Sequence, residues 1–139
     1  MSAADSAAIR DLIYKYFQIA KTKELEGIND FFVSDGRFSK FGDSPPYERR
    51  DSDRAMMLEQ LQFASISDFD FNIEGMKIDL LGEDAAAASF ILHSSGMVVD
   101  DYSFRGSTVN SVSRVTMVLQ KDKHGRWRMV HQHFSKLPE

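Results

Sequence analysis

The sequence predicts a single α+β domain, cone-like in shape, with three N-terminal helices packed on a strongly curved, mainly antiparallel sheet that encloses a pocket. Two observations carry the class. Apolar residues recur at helical spacing as far as Ala64, and from Asp68 onward they alternate at a period of two. Helices first and strands afterwards is the α+β order. A third observation bends the sheet. The inward set runs Phe69, Phe71, Ile73 and then, beyond Glu74-Gly75, Met76, Ile78, Leu80. This change of parity at a glycine marks a β-bulge. Long bulged strands curve, and helices on the concave side leave a pocket between the layers.

The first helix covers residues 4–21. Ile9, Leu12, Ile13, Tyr16, Phe17 and Ala20 share one face, and Arg10, Asp11, Lys15 and Gln18 lie largely opposite. Asp5 or Ser6 is placed to cap it, and Lys21 and Lys23 suit its C-terminal dipole. A short second helix covers 24–33 and ends at Asp35-Gly36. Residues 37–41 form a short strand with Phe38 inward. The segment 42–50 is a loop, since Pro45-Pro46 excludes a central strand. A third helix covers 52–64, starting from an Asp51 or Ser52 cap. Strands follow at 68–80, 85–97, 107–120 and 126–135, with turns at 82–84 and 121–125 and a loop at 98–106. Alternation along the last strand puts Trp127, His131, His133 and Ser135 on one face and Arg128, Val130, Gln132 and Phe134 on the other. Large residues on both faces predict a strand covered twice, for example by helices and by a second subunit.

With 139 residues the chain is one domain long and buries a core without staples. Its 42% hydrophobic content excludes disorder. A net charge of -4 argues against nucleic acid as a partner. The absence of cysteine excludes disulfides, thiol catalysis and thiolate metal sites. The first twenty residues carry scattered charges and no apolar h-region, and no apolar run reaches the length of a membrane span. The expectation is a cytoplasmic protein with no membrane partner, and no cofactor is called for.

Three local patterns carry a family resemblance. They are Ser113-Arg114-Val115, with Gly125-Arg126-Trp127 and Val130-His131-Gln132-His133-Phe134-Ser135 later; Leu80-Leu81-Gly82-Glu83-Asp84-Ala85; and the stretch from Tyr16 that ends Leu25-Glu26-Gly27-Ile28. In this order they resemble the nuclear transport factor 2-like superfamily. It includes SnoaL-like polyketide cyclases, ketosteroid isomerases and the association domain of calcium/calmodulin-dependent protein kinase II. The resemblance spans nearly the whole chain. It implies that Tyr16 stands where the isomerases keep an oxyanion donor. Lys40 falls where they keep the general base, and no carboxylate lies near Arg114 to Thr116, where they keep a second acid. A steroid-type isomerase is therefore not expected. The resemblance also implies that Arg114 keeps one of three pocket arginines of the association domain, the other two being replaced by Leu92 and Phe134. The implied pocket, lined by Tyr16, Phe38, Phe90, Leu92, Arg114, Gln132 and Phe134, is mainly apolar with one cationic anchor. It suits a hydrophobic ligand bearing an acidic or carbonyl group.

Each candidate has a plainer reading. Arg114 is either a ligand anchor or half of a buried ion pair. Tyr16 either packs in the core or turns its hydroxyl into the pocket. His131 and His133, with His93 as a third, share the spacing of a metal site, but interface or core histidines account for them better, and no metal is expected. Trp127 anchors the core or a dimer. Asp35, Lys40 and Asp43 lie near the pocket mouth, where Lys40 or Asp43 is a candidate acid or base and solvation is the plainer role. Asp100-Asp101 is a solvated pair. The leading functional expectation is a homodimeric small-molecule-binding protein of the SnoaL-like type. The alternatives are a cyclase, isomerase or hydratase acting on a polycyclic or aromatic substrate, and a homo-oligomeric assembly module whose pocket is filled by Phe38, Phe90 and Phe134. An enzyme requires a carboxylate, Asp35 or Asp43, within reach of the ligand.

Overall fold

A computed structural model describes residues 3–43, 46–99 and 106–138. Helix α1 (Ala3–Thr22) buries Ile9, Ile13, Tyr16, Phe17, Ile19 and Ala20. Asp5 lies inside this helix rather than capping it, and its carboxylate accepts a hydrogen bond from Trp127 Nε1 at 3.1 Å. The expected second helix is a shorter 3-10 helix, Leu25–Phe31. Gly27, Asn29 and Asp30 are weak α-formers, and the tight 3-10 form suits so short a piece. Strands β1 (Ser39–Phe41) and β2 (Arg49–Asp51) precede α2 (Ser52–Ser65), followed by β3 (Ser67–Leu80), β4 (Ala85–Val99), β5 (Gly106–Lys121) and β6 (Trp127–Lys136). The pair Asp100-Asp101 and Pro45 lie outside the described residues.

The strand order is β2-β1-β6-β5-β4-β3. β1 runs parallel to β6, and the other pairings are antiparallel. β2 was not expected, because its three residues sit in the segment 42–50 and its short continuation. It occupies a sheet edge, the place a proline-flanked strand can take.

The parity break at Gly75 is a bulge: Glu74 pairs with Ile91 and Lys77 with Ser89, leaving one extra residue on β3. Gly75 has φ +64, which a glycine adopts without strain. A bulge on β6 corrects the expected faces of that strand. Val118 pairs with His131 but Leu119 pairs with Met129, so Val130 is the extra residue. Simple alternation fails across it. Trp127 and Met129 therefore share the concave face with Gln132 and Phe134, while His131 and His133 turn outward.

The core lies between this face and the helices. Tyr16, Phe32, Phe38, Met117, Leu119 and Met129 are among its fully buried side chains. Lys23 does not serve its own helix as expected. Its Nζ donates to the carbonyls of Phe63, at 2.6 Å, and Ile66, capping the end of α2.

Candidate functional site

A cavity of about 210 Å³ opens on the concave side of the sheet, between β1, β2, α2 and the strands β3 to β6. Its apolar wall includes Phe63, Phe69, Leu92 and Phe134. Its polar groups come from separate elements: Lys40 on β1, Asp43 after it, Arg50 on β2, Glu59 on α2, and Ser94, Ser111 and Ser113 on β4 and β5.

At the floor, Lys40 Nζ and Glu59 Oε2 form an ion pair at 2.5 Å. Both residues are buried, at 7% and 3% exposure. The other carboxylate oxygen accepts the Tyr16 hydroxyl at 2.5 Å. Lys40 Nζ also lies 4.2 Å from the centroid of the Phe134 ring, within cation–π range. A buried charge is tolerated only when paired and hydrogen-bonded, and this carboxylate meets both conditions. Burial, reinforced by the Glu59 charge, pushes the Tyr16 phenol well above its ordinary value, so it remains a proton donor. Glu59 was missed in the sequence. It sits among the helical residues of 52–64, where a glutamate reads as solvated. The available signal was its place on α2 beside Ala55 and Phe63, which are also buried.

The expected pocket residues separate into three groups. Leu92 and Phe134 line the cavity. Tyr16, Phe38, Phe90 and Gln132 are buried in the core behind it. The Tyr16 hydroxyl is engaged by Glu59, Phe38 packs on Phe32 at 4.3 Å between ring centroids, and Phe90 packs edge-on to Phe17. Gln132 Nε2 points at Met129 Sδ, 3.1 Å away. Arg114 is on neither the wall nor the core. Ser113 and Val115 point inward, so strict alternation sends Arg114 to the exposed outer face, where its Nε donates to Ser135 Oγ at 3.2 Å. The expected place of Arg114 on the pocket wall is corrected: among the described residues the cations on the cavity wall are Lys40, Arg50 and Lys136. Within one protomer, Arg114→Leu is expected to change stability by no more than about 0.5 kcal/mol and to leave ligand affinity unaltered. Denaturant titration and calorimetric binding check both.

Among the loop charges, Asp43 faces the cavity and accepts Ser113 Oγ at 2.7 Å. Asp35 faces elsewhere. It forms an exposed pair with Arg37 at 2.7 Å, beside a solvated cleft of about 800 Å³.

The three histidines do not converge. His93 Nε2 meets Glu74 at 2.9 Å, and His131 Nδ1 meets Ser39 Oγ at 2.7 Å. Among the described residues no group of three or more His, Cys, Asp or Glu is placed to share a metal ion. Partial burial, with the charge of His133 second, holds His131 below its ordinary value. The neutral ring is thus favoured in the folded state, and the unfolded chain binds more protons as pH falls through the histidine range. The contribution of His131 to stability is full above its unfolded pKa and is lost as pH falls through the folded one. His131→Gln is expected to flatten the melting-temperature profile between about pH 7 and 5. An unchanged slope in the variant would contradict this.

Three helices on a six-stranded sheet, with a cavity between the layers, give an α+β fold similar to that of nuclear transport factor 2-like structures. Residues 1–133 match the SnoaL-like domain, and the chain belongs to that family. No curated protein matches it. Among solved structures it is similar to a putative dehydratase of the NTF2-like family from Streptomyces avermitilis. That likeness has a TM-score of 0.82 and 14% identity and covers 99% of this chain and 100% of that one. The association domain of the C. elegans kinase CaMKII is similar at TM-score 0.71 and 18% identity, covering 95% of each chain. A ketosteroid isomerase-like protein from Erwinia carotovora atroseptica is similar at TM-score 0.69 and 13% identity, covering 96% of each. At these identities the likeness is one of fold.

No helix among the described residues is long and apolar enough to cross a membrane.

Proposed function

We propose that this protein binds a small organic molecule, about one ring in size, in the cavity above Lys40 and Glu59. The observation that carries the reading is the buried Lys40–Glu59 pair, linked to Tyr16, at the floor of a hollow whose wall mixes apolar and polar side chains. A buried pair is weak support for stability, and this one stands on the wall of a cavity. At about 210 Å³ the cavity is smaller than the roughly 300–1,000 Å³ of most ligand sites. Core side chains such as Tyr16, Phe32 and Phe38 occupy the interior behind it, which favours a single ring over a polycycle.

Ligand-detected NMR with a fragment set of single-ring acids and amides tests this. Ser111→Phe, which fills the cavity from its partly exposed wall, is expected to remove binding. Fragments that bind the variant as well as the wild type would place their site elsewhere.

Asp43 favours a second reading. It is a carboxylate on the wall of the cavity that also holds Lys40, which sets a proton acceptor beside a cation. The likeness to a putative dehydratase points the same way. In this reading Asp43 takes a proton from the ligand and Lys40 supports the developing negative charge. Asp43→Asn is then expected to abolish turnover while fragment affinity persists.

The homodimer is proposed through the outer sheet face, where Arg114, Thr116, Val118 and His133 are exposed. The likeness to an association domain supports it. Sedimentation of the wild type and of Val118→Glu distinguishes a dimer through this face from other states.

A further inference from the structure

Among the described residues, the cavity wall carries an arginine with no ion-pair partner. Lys40 and Arg50 are directly paired across β1 and β2, and both side chains reach the cavity wall. Like charges directly opposite one another on adjacent strands are destabilising. Lys40 is neutralised by Glu59. Arg50 makes no ion pair among the described residues, and its Nε is buried without a hydrogen-bond partner there. A buried, unsatisfied guanidinium donor is costly unless something supplies an acceptor. Gly42 lies close to the same group: a Cβ built there would stand 3.9 Å from Arg50 Nη1.

Among the described residues, the charges around the wall leave a positive surplus. Lys40, Arg50 and Lys136 face two carboxylates, Glu59 and Asp43. Glu59 is taken by Lys40 and Tyr16, and Asp43 accepts the Ser113 hydroxyl on the β5 side. The serines, Ser94 and Ser111 with Ser113, offer further donors, and Phe69, Leu92 and Phe134 supply an apolar wall.

We propose that the ligand is a small carboxylic acid, bound as its anion, with the carboxylate on the Arg50 guanidinium and its apolar body against Leu92 and Phe134. This inference rests on the small-molecule-binding reading and names the chemical class of the ligand. The guanidinium presents a planar fork that matches the two oxygens of a carboxylate, and the bound anion offsets the repulsion between Arg50 and Lys40.

Calorimetric titration of the full chain with matched pairs tests it: benzoate against benzamide, and cyclohexanecarboxylate against its amide. Each acid is expected to bind at least about tenfold more tightly than its amide, the range of one charge-assisted hydrogen bond. Arg50→Gln is expected to erase that preference, so that acid and amide bind the variant equally well. Arg50→Lys, which keeps the charge and loses the fork, is expected to retain part of it. Both variants alter a short edge strand, and melting curves establish that they fold. Amides that bind as well as acids, or an acid preference that survives in Arg50→Gln, overturn the carboxylate assignment and leave the small-molecule reading standing. If no acid or amide binds the wild type, or if all bind Ser111→Phe equally well, both fall.

Discussion

Glu59→Ala is expected to lower folding stability by about 3–5 kcal/mol, the cost of stranding one member of a buried ion pair. The substitution leaves the Lys40 ammonium at 7% exposure without its counter-charge. It also removes the acceptor of the fully buried Tyr16 hydroxyl. The double variant Lys40→Met with Glu59→Leu is expected to recover most of the loss, because an apolar pair of similar volume avoids desolvating two charges. Equilibrium unfolding in urea measures both. A loss below about 1 kcal/mol in Glu59→Ala would mean that water reaches the pair and that it behaves as a surface bridge. A double variant that is stable but no longer binds ring acids would show that the pair is kept for the site.

Tyr16 separates packing from hydrogen bonding at the same spot. Its ring meets Phe17, Phe31, Phe32 and Phe63 at centroid distances of 5.2, 5.6, 5.7 and 5.1 Å. Tyr16→Ala is expected to cost about 3–5 kcal/mol through the cavity it opens among these rings. Tyr16→Phe keeps the rings and removes only the hydroxyl, at a cost of about 1–3 kcal/mol for the unmet Glu59 oxygen. Because the phenol lies behind Glu59 and outside the cavity lining, Tyr16→Phe is expected to leave fragment affinity within about twofold of the wild type, well under one hydrogen bond's worth. A tenfold loss of affinity with stability preserved would instead place the hydroxyl in the site, the role its position in the family suggests.

The fold was legible because it depends on periodicity. The stripe of Ile9, Ile13, Tyr16 and Phe17, the change of period at Asp68 and the parity break at Gly75 are local patterns, and each survives in the structure. The faces of β6 were legible only in part. The bulge at Val130 has no glycine to announce it and is set by the register against β5. The same limit applies to Arg114. Its neighbours Ser113 and Val115 take the inward positions, so the family position alone does not carry its side chain into the cavity.

The sequence by itself determined the α+β class, the order of the longer helices and strands and the bulge at Gly75, since these follow from hydrophobic spacing and backbone preference within short windows. Lys40 and Asp43, named from the sequence, and Leu92 and Phe134, named from the resemblance, line one cavity. Only the tertiary structure decided which charges are buried and paired. Lys40 meets Glu59 across 19 positions of chain, and Tyr16 meets it across 43. Arg50 was read as the end of a loop and stands on an edge strand opposite Lys40. Desolvation and pairing depend on what surrounds a charge in space, and no local pattern encodes that.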